Sequence, residues 1–144
     1  MARVKIALPA AFPFAVALPV RITDLNYGAH LGNDALLGLL HEARVQFLAH
    51  LGEPEYNPAT KRGFIMADVA VEYKGEGFHG DVLTIDMAAH EAHKYGFDLV
   101  YRVQNQDGKL VALAKTGMLC FDYNTRKLRG LPEALAAQVA QVAE

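Results

Sequence analysis

The sequence has no tryptophan, one cysteine and no long unbroken apolar run, and each shortage narrows what the chain can be. Cys120 cannot close an internal disulfide; flanked by apolar residues, it reads as a buried strand residue in a reducing compartment. The ~18 consecutive apolar residues of a membrane span are missing. Pro9, Pro13 and Pro19 interrupt the stretch from Met1 to Val20 before it takes the form of a signal peptide. Charge is scarce as well: 14 Lys and Arg against 16 Asp and Glu leave a net charge of −2. Nucleic acid demands a clustered basic surface, so neither nucleic acid nor a membrane is expected as a partner, and the chain reads as cytoplasmic.

What is present suffices for one core. The 144 residues are 52 % apolar and 21 % charged, without an internal repeat or a low-complexity tract, which predicts a single domain spanning residues 1–144. Phe14 to Ile22 is apolar and extended in character. From Asn33 the pattern turns helical: Leu36, Leu40, Ala43, Phe47 and Leu51 recur at spacings of three and four. Asn33 is placed to cap that helix, Asp34 suits the positive end of its dipole, and Gly52 supplies the stop. Leu37, Leu39 and Leu48 widen the apolar surface, so the helix should be covered on more than one side.

Beyond the loop from Gly52 to Gly63 the period becomes two. Ile65 to Tyr73, Leu83 to Ala89 and Phe97 to Val103 alternate apolar with polar or small residues, and a fourth run extends from Leu110 to Tyr123. Short connections, among them Gln106-Asp107-Gly108, predict that these four strands form a meander. Leu131, Leu135 and Val139 share a face of a short, alanine-rich final helix behind Pro132. The expected class is α+β: a long central helix wrapped by a five-stranded antiparallel sheet, with a short C-terminal helix. The sheet's uncovered face and edge point to dimerisation.

Groups able to do chemistry concentrate between the first strand and the helix, in Asp24-Leu25-Asn26-Tyr27-Gly28-Ala29-His30-Leu31-Gly32-Asn33-Asp34. Amides of a helix's first turn lack helical acceptors and can polarise a carbonyl or hold an oxyanion. A capped helix preceded by a polar loop accounts for the same residues without chemistry. His90 and His93 are close in sequence but have no third ligand at a useful spacing, so no metal site is expected.

The stretch from Val20 to Leu51 resembles the hot-dog thioesterases of the 4-hydroxybenzoyl-CoA type, whose pattern is roughly D-x-D-x-x-G-H-V-N-N, then Y-L, then E-A-R. Here the chain reads DLNYGAHLGNDALLGLLHEAR, with Asp24, His30, Asn33 and Glu42-Ala43-Arg44 in matching places. The segment MADVAVEYKGEGFHGDVLTI is similar to the family's second and third strands, and the likeness extends from Phe14 to Leu135. It implies a hot-dog fold, an active site at a subunit interface of a homodimer or homotetramer, and hydrolysis of an acyl-CoA or acyl carrier protein thioester. No cofactor is implied beyond the CoA of the substrate.

The sequence departs from the pattern at Asn26, where these enzymes usually carry the aspartate proposed as nucleophile or base. Gly32 and Leu36 replace an asparagine and a tyrosine. An amide can orient water but cannot act as the base. Asp34 is the favoured substitute and Asp24 the second, with Asn26 and His30 ordering water. Asn33, Tyr27, Gly63 and Phe64 are expected at the substrate, with Lys61 and Arg62 near the CoA phosphates. Glu42 beside Arg44 is expected in an ion pair or an interface. Two other activities remain open: a non-catalytic acyl-CoA binding protein that lost its carboxylate at position 26, and a hot-dog hydratase or dehydratase.

Overall fold

The computed structural model describes residues 2–142; the ends of the expected domain, Met1, Ala143 and Glu144, lie outside the described residues. Strand β1 (Phe14–Pro19) leads through a 3-10 turn (Ile22–Asp24) and a loop into helix α1 (Asn33–His50). Strands β2 (Tyr56–Asn57), β3 (Arg62–Tyr73), β4 (Val82–His93), β5 (Gly96–Gln104), β6 (Leu110–Asp122) and β7 (Lys127–Leu128) follow, and helix α2 (Glu133–Val142) comes last.

The five long strands form one antiparallel sheet in the order β1-β4-β5-β6-β3, which β2 extends beyond β3 and β7 beside β6. The expected four-strand meander is corrected. Only β4, β5 and β6 follow one another as neighbours; β3 pairs with β6, and β4 pairs with β1. The physical reason lies in residues 74–81. This segment does not fold into a tight turn, because the Leu31 N–H donates to the Gly77 carbonyl over 2.7 Å and holds it across the entry to α1.

Alternation marks one core-facing row along β4 and one along β5. Leu83, Ile85, Met87 and Ala89 of β4 and Phe97, Leu99, Tyr101 and Val103 of β5 are 1 % exposed or less, and they meet Leu36, Leu40, Ala43 and Phe47 of α1, which are just as deeply buried. Burying each large side chain contributes about 1.5–3 kcal/mol, so this layer dominates the stability. Phe14 stacks on Phe47 with ring centroids 5.0 Å apart and joins the edge strand to the helix. Leu135 and Val139 of α2 enter the same core, and Gln138 Nε2 donates to the Leu51 carbonyl over 3.0 Å, satisfying an acceptor at the end of α1.

Two expectations about α1 change. Gly32, with extended backbone (φ −71°, ψ 149°), holds the cap position in place of Asn33, and no side chain caps this end. Leu39 and Leu48 are buried, but Leu37 stays 38 % exposed because nothing covers that flank within one chain. The flank faces β3, whose outer edge pairs with β2 only at Arg62 and Gly63; from Ile65 to Tyr73 no strand among the described residues lies beside it. Met66, Val69 and Tyr73 are exposed along that edge. Among the described residues, no helix is long and apolar enough to cross a membrane.

Candidate functional site

The loop entering α1 is built by its own polar side chains. The buried Asp24 carboxylate accepts from the Arg21 backbone N–H over 2.8 Å and from the Arg21 guanidinium over 3.1 and 3.2 Å. The Arg21 hydrogen bonds hold its pKa below the usual carboxylate value. Asp24 therefore organises the loop's first turn, with both carboxylate oxygens occupied by Arg21.

Asn26 Oδ1 accepts from the Gly28 N–H over 2.8 Å, a side-chain turn of the kind asparagine favours, and the Ala29 N–H returns to the Asn26 carbonyl over 3.0 Å. Ala29 has φ 61°, a left-handed conformation that costs an alanine about 1–2 kcal/mol. That bend sends the chain back along itself, and the Asn26 N–H donates to the His30 carbonyl over 2.9 Å. His30 and Asn26 consequently share one spot. A methyl group at Gly28 would lie 3.2 Å from His30 Nε2 and 3.3 Å from Asn26 Oδ1. His30 Nδ1 sits 3.3 Å from the Leu31 carbonyl, which only accepts, so in the neutral ring Nδ1 carries the proton and Nε2 keeps its lone pair.

Around the start of α1 lies a cavity of about 320 Å³, lined by His30, Gly32, Asn33, Leu36, Tyr73 and residues 74–77 among others. Asp34 Oδ1 folds back over Gly32, 2.8 Å from where a β-carbon would stand, and Asn26 Cβ is 3.6 Å from the same point. The missing side chain at position 32 gives the carboxylate that position. Tyr73 donates its hydroxyl to the Asn33 carbonyl over 3.1 Å. Partial burial, then the negative charge of Asp34, push the Tyr73 pKa up and keep it a donor. The site thus combines a helix end without a side-chain cap, a carboxylate, a histidine lone pair and an amide, which together can bind and polarise a carbonyl and take a proton from water.

Of the residues expected at the site, Asn26, His30, Asn33 and Asp34 come together. Asp24 faces Arg21 instead, and Tyr27 projects fully into solvent. Gly63 and Phe64 lie at the opposite end of β3 from Tyr73, about 30 Å away along one strand. There Phe64 is buried edge-to-face against Phe97 at 5.7 Å, and Arg62 pairs with Asp122 at 3.3 Å. Of the ion pair or interface contact expected for Glu42, the ion pair with Arg44 does not form. Glu42 accepts from Gln46 one turn on, while the buried Arg44 pairs with Glu55, which His41 Nε2 meets at 2.5 Å. Helical spacing points Glu42 and Arg44 to different faces, which separates them. Tyr73 and the crossover at residues 74–77 went unforeseen as site components, because the strand order that brings them there carries no local signal.

A family model described as the Thioesterase-like superfamily matches residues 20–139, and the chain belongs to that family. Two curated relatives, the 1,4-dihydroxy-2-naphthoyl-CoA hydrolases of Synechococcus elongatus and of a second Synechococcus strain, are each 28 % identical over 119 residues, covering 81 % of this chain and 87 % of the relative. Among solved structures, a 1,4-dihydroxy-2-naphthoyl-CoA thioesterase from Synechocystis superposes with a TM-score of 0.80 at 18 % identity, covering 91 % of this chain and 98 % of the other. A thioesterase-superfamily protein from Jannaschia reaches 0.84 at 20 % identity, covering 94 % of this chain and 86 % of that one. A Staphylococcus aureus protein solved in complex with CoA reaches 0.80 at 16 % identity, covering 96 % of this chain and 88 % of the other. These likenesses, with a sheet wrapped around α1, establish the hot-dog fold.

Proposed function

We propose that this protein hydrolyses an acyl-CoA thioester to a free acid and CoA. The observation that carries this reading is the convergence of Asp34, Asn26 and His30 on an α1 terminus that no side chain caps, in a chain of the Thioesterase-like superfamily. Two curated relatives named as CoA-thioester hydrolases support it.

In this reading the thioester carbonyl oxygen rests against the first amides of α1, with the acyl carbon above Gly32. Water held between the Asn26 amide and His30 Nε2 attacks that carbon while Asp34 accepts its proton. The tetrahedral intermediate then releases the acid. The departing CoA thiolate takes up the proton that Asp34 accepted, which restores the carboxylate. Tyr73 fixes the first turn by holding the Asn33 carbonyl. The scheme uses no metal or redox cofactor, and CoA enters only as part of the substrate.

A homodimer completes the proposal. The open edge of β3 supports antiparallel pairing with a second copy, which would set the Gly63–Phe64 end of one β3 beside the Tyr73 end of the other. That pairing would bring this end of the partner's β3 near the substrate site, with β2 still covering Gly63 and Phe97 still covering Phe64. A cytoplasmic setting belongs to the same reading and is supported by the single buried thiol, Cys120.

A second reading, an acyl-CoA binding protein without turnover, is favoured by one fact: Asn26 occupies the position of the family's usual aspartate. Release of free thiol from short, long and aromatic acyl-CoAs, 1,4-dihydroxy-2-naphthoyl-CoA among them, separates the two. Turnover on any of them supports hydrolysis, whereas CoA binding with no turnover on the whole panel moves the assignment to the binding protein.

A further inference from the structure

Arg129 carries a charge that the fold does not pair. Its Nε is buried and meets no acceptor among the described residues, although buried polar groups are hydrogen-bonded almost without exception. The residue follows β7, and its backbone N–H donates to the Cys120 carbonyl over 3.0 Å, which places it along one edge of β6. Arg62 stands along the other edge, in β3, with its backbone opposite Asp122. Both arginines line a cavity of about 290 Å³, which the start of α2 and the loop after α1 close.

Asp122 does not supply the acceptor that Arg129 lacks. One of its oxygens takes the N–H groups of Asn124 and Thr125 over 2.8 and 3.4 Å, and the other takes Arg62 Nε over 3.3 Å. Further donors stand around the cavity. Asn57 Oδ1 accepts from the Ala59 N–H over 2.9 Å, which leaves the Asn57 NH2 group to donate, and Thr60 adds a hydroxyl. Pro132, whose carbonyl accepts the Ala136 N–H over 2.9 Å, brings the positive end of α2 to the same wall. Glu53 is the one carboxylate among the lining residues. This cavity shares no lining residue with the one around Asn33.

We propose that Arg62 and Arg129 form a binding site for a phosphate dianion, separate from the site of hydrolysis. A phosphate group carries about −1.5 to −2 of charge near neutral pH, and the N–H forks of two guanidiniums match both that charge and the phosphate oxygens. The terminal nitrogens of Arg129 meet one pair of oxygens and Arg62, Thr60 and Asn57 the rest, while Glu53 accepts from a hydroxyl beside the phosphate. Sulfate has the charge without that hydroxyl. Two ligands carry this chemistry: the ribose 3′-phosphate of CoA, with the 2′-hydroxyl next to it, and free phosphate with its own hydroxyl. The first rests on the proposed pairing of two copies through β3, which brings this end of one copy near the substrate site of the other. The second rests on one chain alone.

The test is calorimetric titration of the native protein with inorganic phosphate, sulfate, CoA and dephospho-CoA, which lacks only the 3′-phosphate, repeated on Arg129→Gln and Thr60→Glu. Thr60 is exposed in the hairpin between β2 and β3, so Thr60→Glu keeps the fold and sets a second carboxylate on the wall. Phosphate or CoA should bind, sulfate about ten-fold or more weakly than phosphate, and each variant should lose about ten-fold or more in affinity. A native preference for CoA over dephospho-CoA that both variants lose assigns the site to the ribose phosphate. Equal affinity for those two, with inorganic phosphate binding that both variants lose, assigns it to the free ion. The proposal is overturned if neither phosphate-bearing probe binds, if the variants bind as the native protein does, or if sulfate binds as tightly as phosphate. No titration requires turnover, so a failure of hydrolysis and a failure of this site are separate results.

Discussion

The hydroxyl of Tyr73, the last residue of β3, donates to the carbonyl of Asn33, the first residue of α1, over 3.1 Å. One hydrogen bond therefore couples the open edge of the sheet to the helix end where the thioester carbonyl is proposed to bind. Tyr73→Phe removes the bond and keeps the ring. The expected result is a several-fold fall in kcat/KM with a stability change of about 1 kcal/mol or less, read from steady-state kinetics and urea unfolding.

Gly32→Asn separates stability from activity. Backbone at φ −71° and ψ 149° suits any residue, and asparagine is a strong helix cap, so the variant should be at least as stable as the native protein. Its side chain would enter the space Asp34 Oδ1 fills, 2.8 Å from a β-carbon at this position, and displace the carboxylate. Turnover should fall while the melting temperature holds or rises.

Acid should weaken the fold through Asp24, Asp68, Glu72 and Asp122, each held below its ordinary pKa by hydrogen bonds, Asp24 chiefly by Arg21. The unfolded chain then binds more protons than the folded one between the two pKa values. The stabilisation is complete above the unfolded pKa, near pH 4, and is lost as pH falls through the folded values. Asp24→Asn should lower stability at pH 7 and flatten this dependence, so that urea midpoints of the two proteins converge toward pH 3.

How far the sequence was legible follows a physical line. The spacing of Leu36, Leu40, Ala43 and Phe47 and the alternation along β4 and β5 report local periodicity against one core, and all three elements stand where they were expected. Pairing β3 with β6 depends on residues distant in the chain, and the hydrogen bond from Leu31 to Gly77 that diverts the crossover leaves no mark on nearby positions. The loop motif located Asn26, His30, Asn33 and Asp34 correctly as neighbours. It could not show that Arg21 occupies Asp24, nor that Asp34 turns back over Gly32, because both depend on side-chain direction.

The edge of β3 gives a further prediction. Val69 is 39 % exposed at the middle of the unpaired segment, and a lysine there would place like charges near the two-fold axis of the proposed dimer. Light scattering should find the native protein as the proposed dimer and Val69→Lys as a monomer, with helical and sheet content unchanged by circular dichroism. Activity should fall with the dimer, since the second copy's β3 is proposed to complete the surroundings of the site.

The most direct test is the rate of thiol release by Asp34→Asn beside the native protein on the best acyl-CoA substrate. A general base contributes about 10²–10⁴ in rate, so the account predicts a loss of that order in kcat with KM little changed and the melting temperature preserved. Native turnover that survives Asp34→Asn undiminished would contradict the assignment of Asp34 as the base.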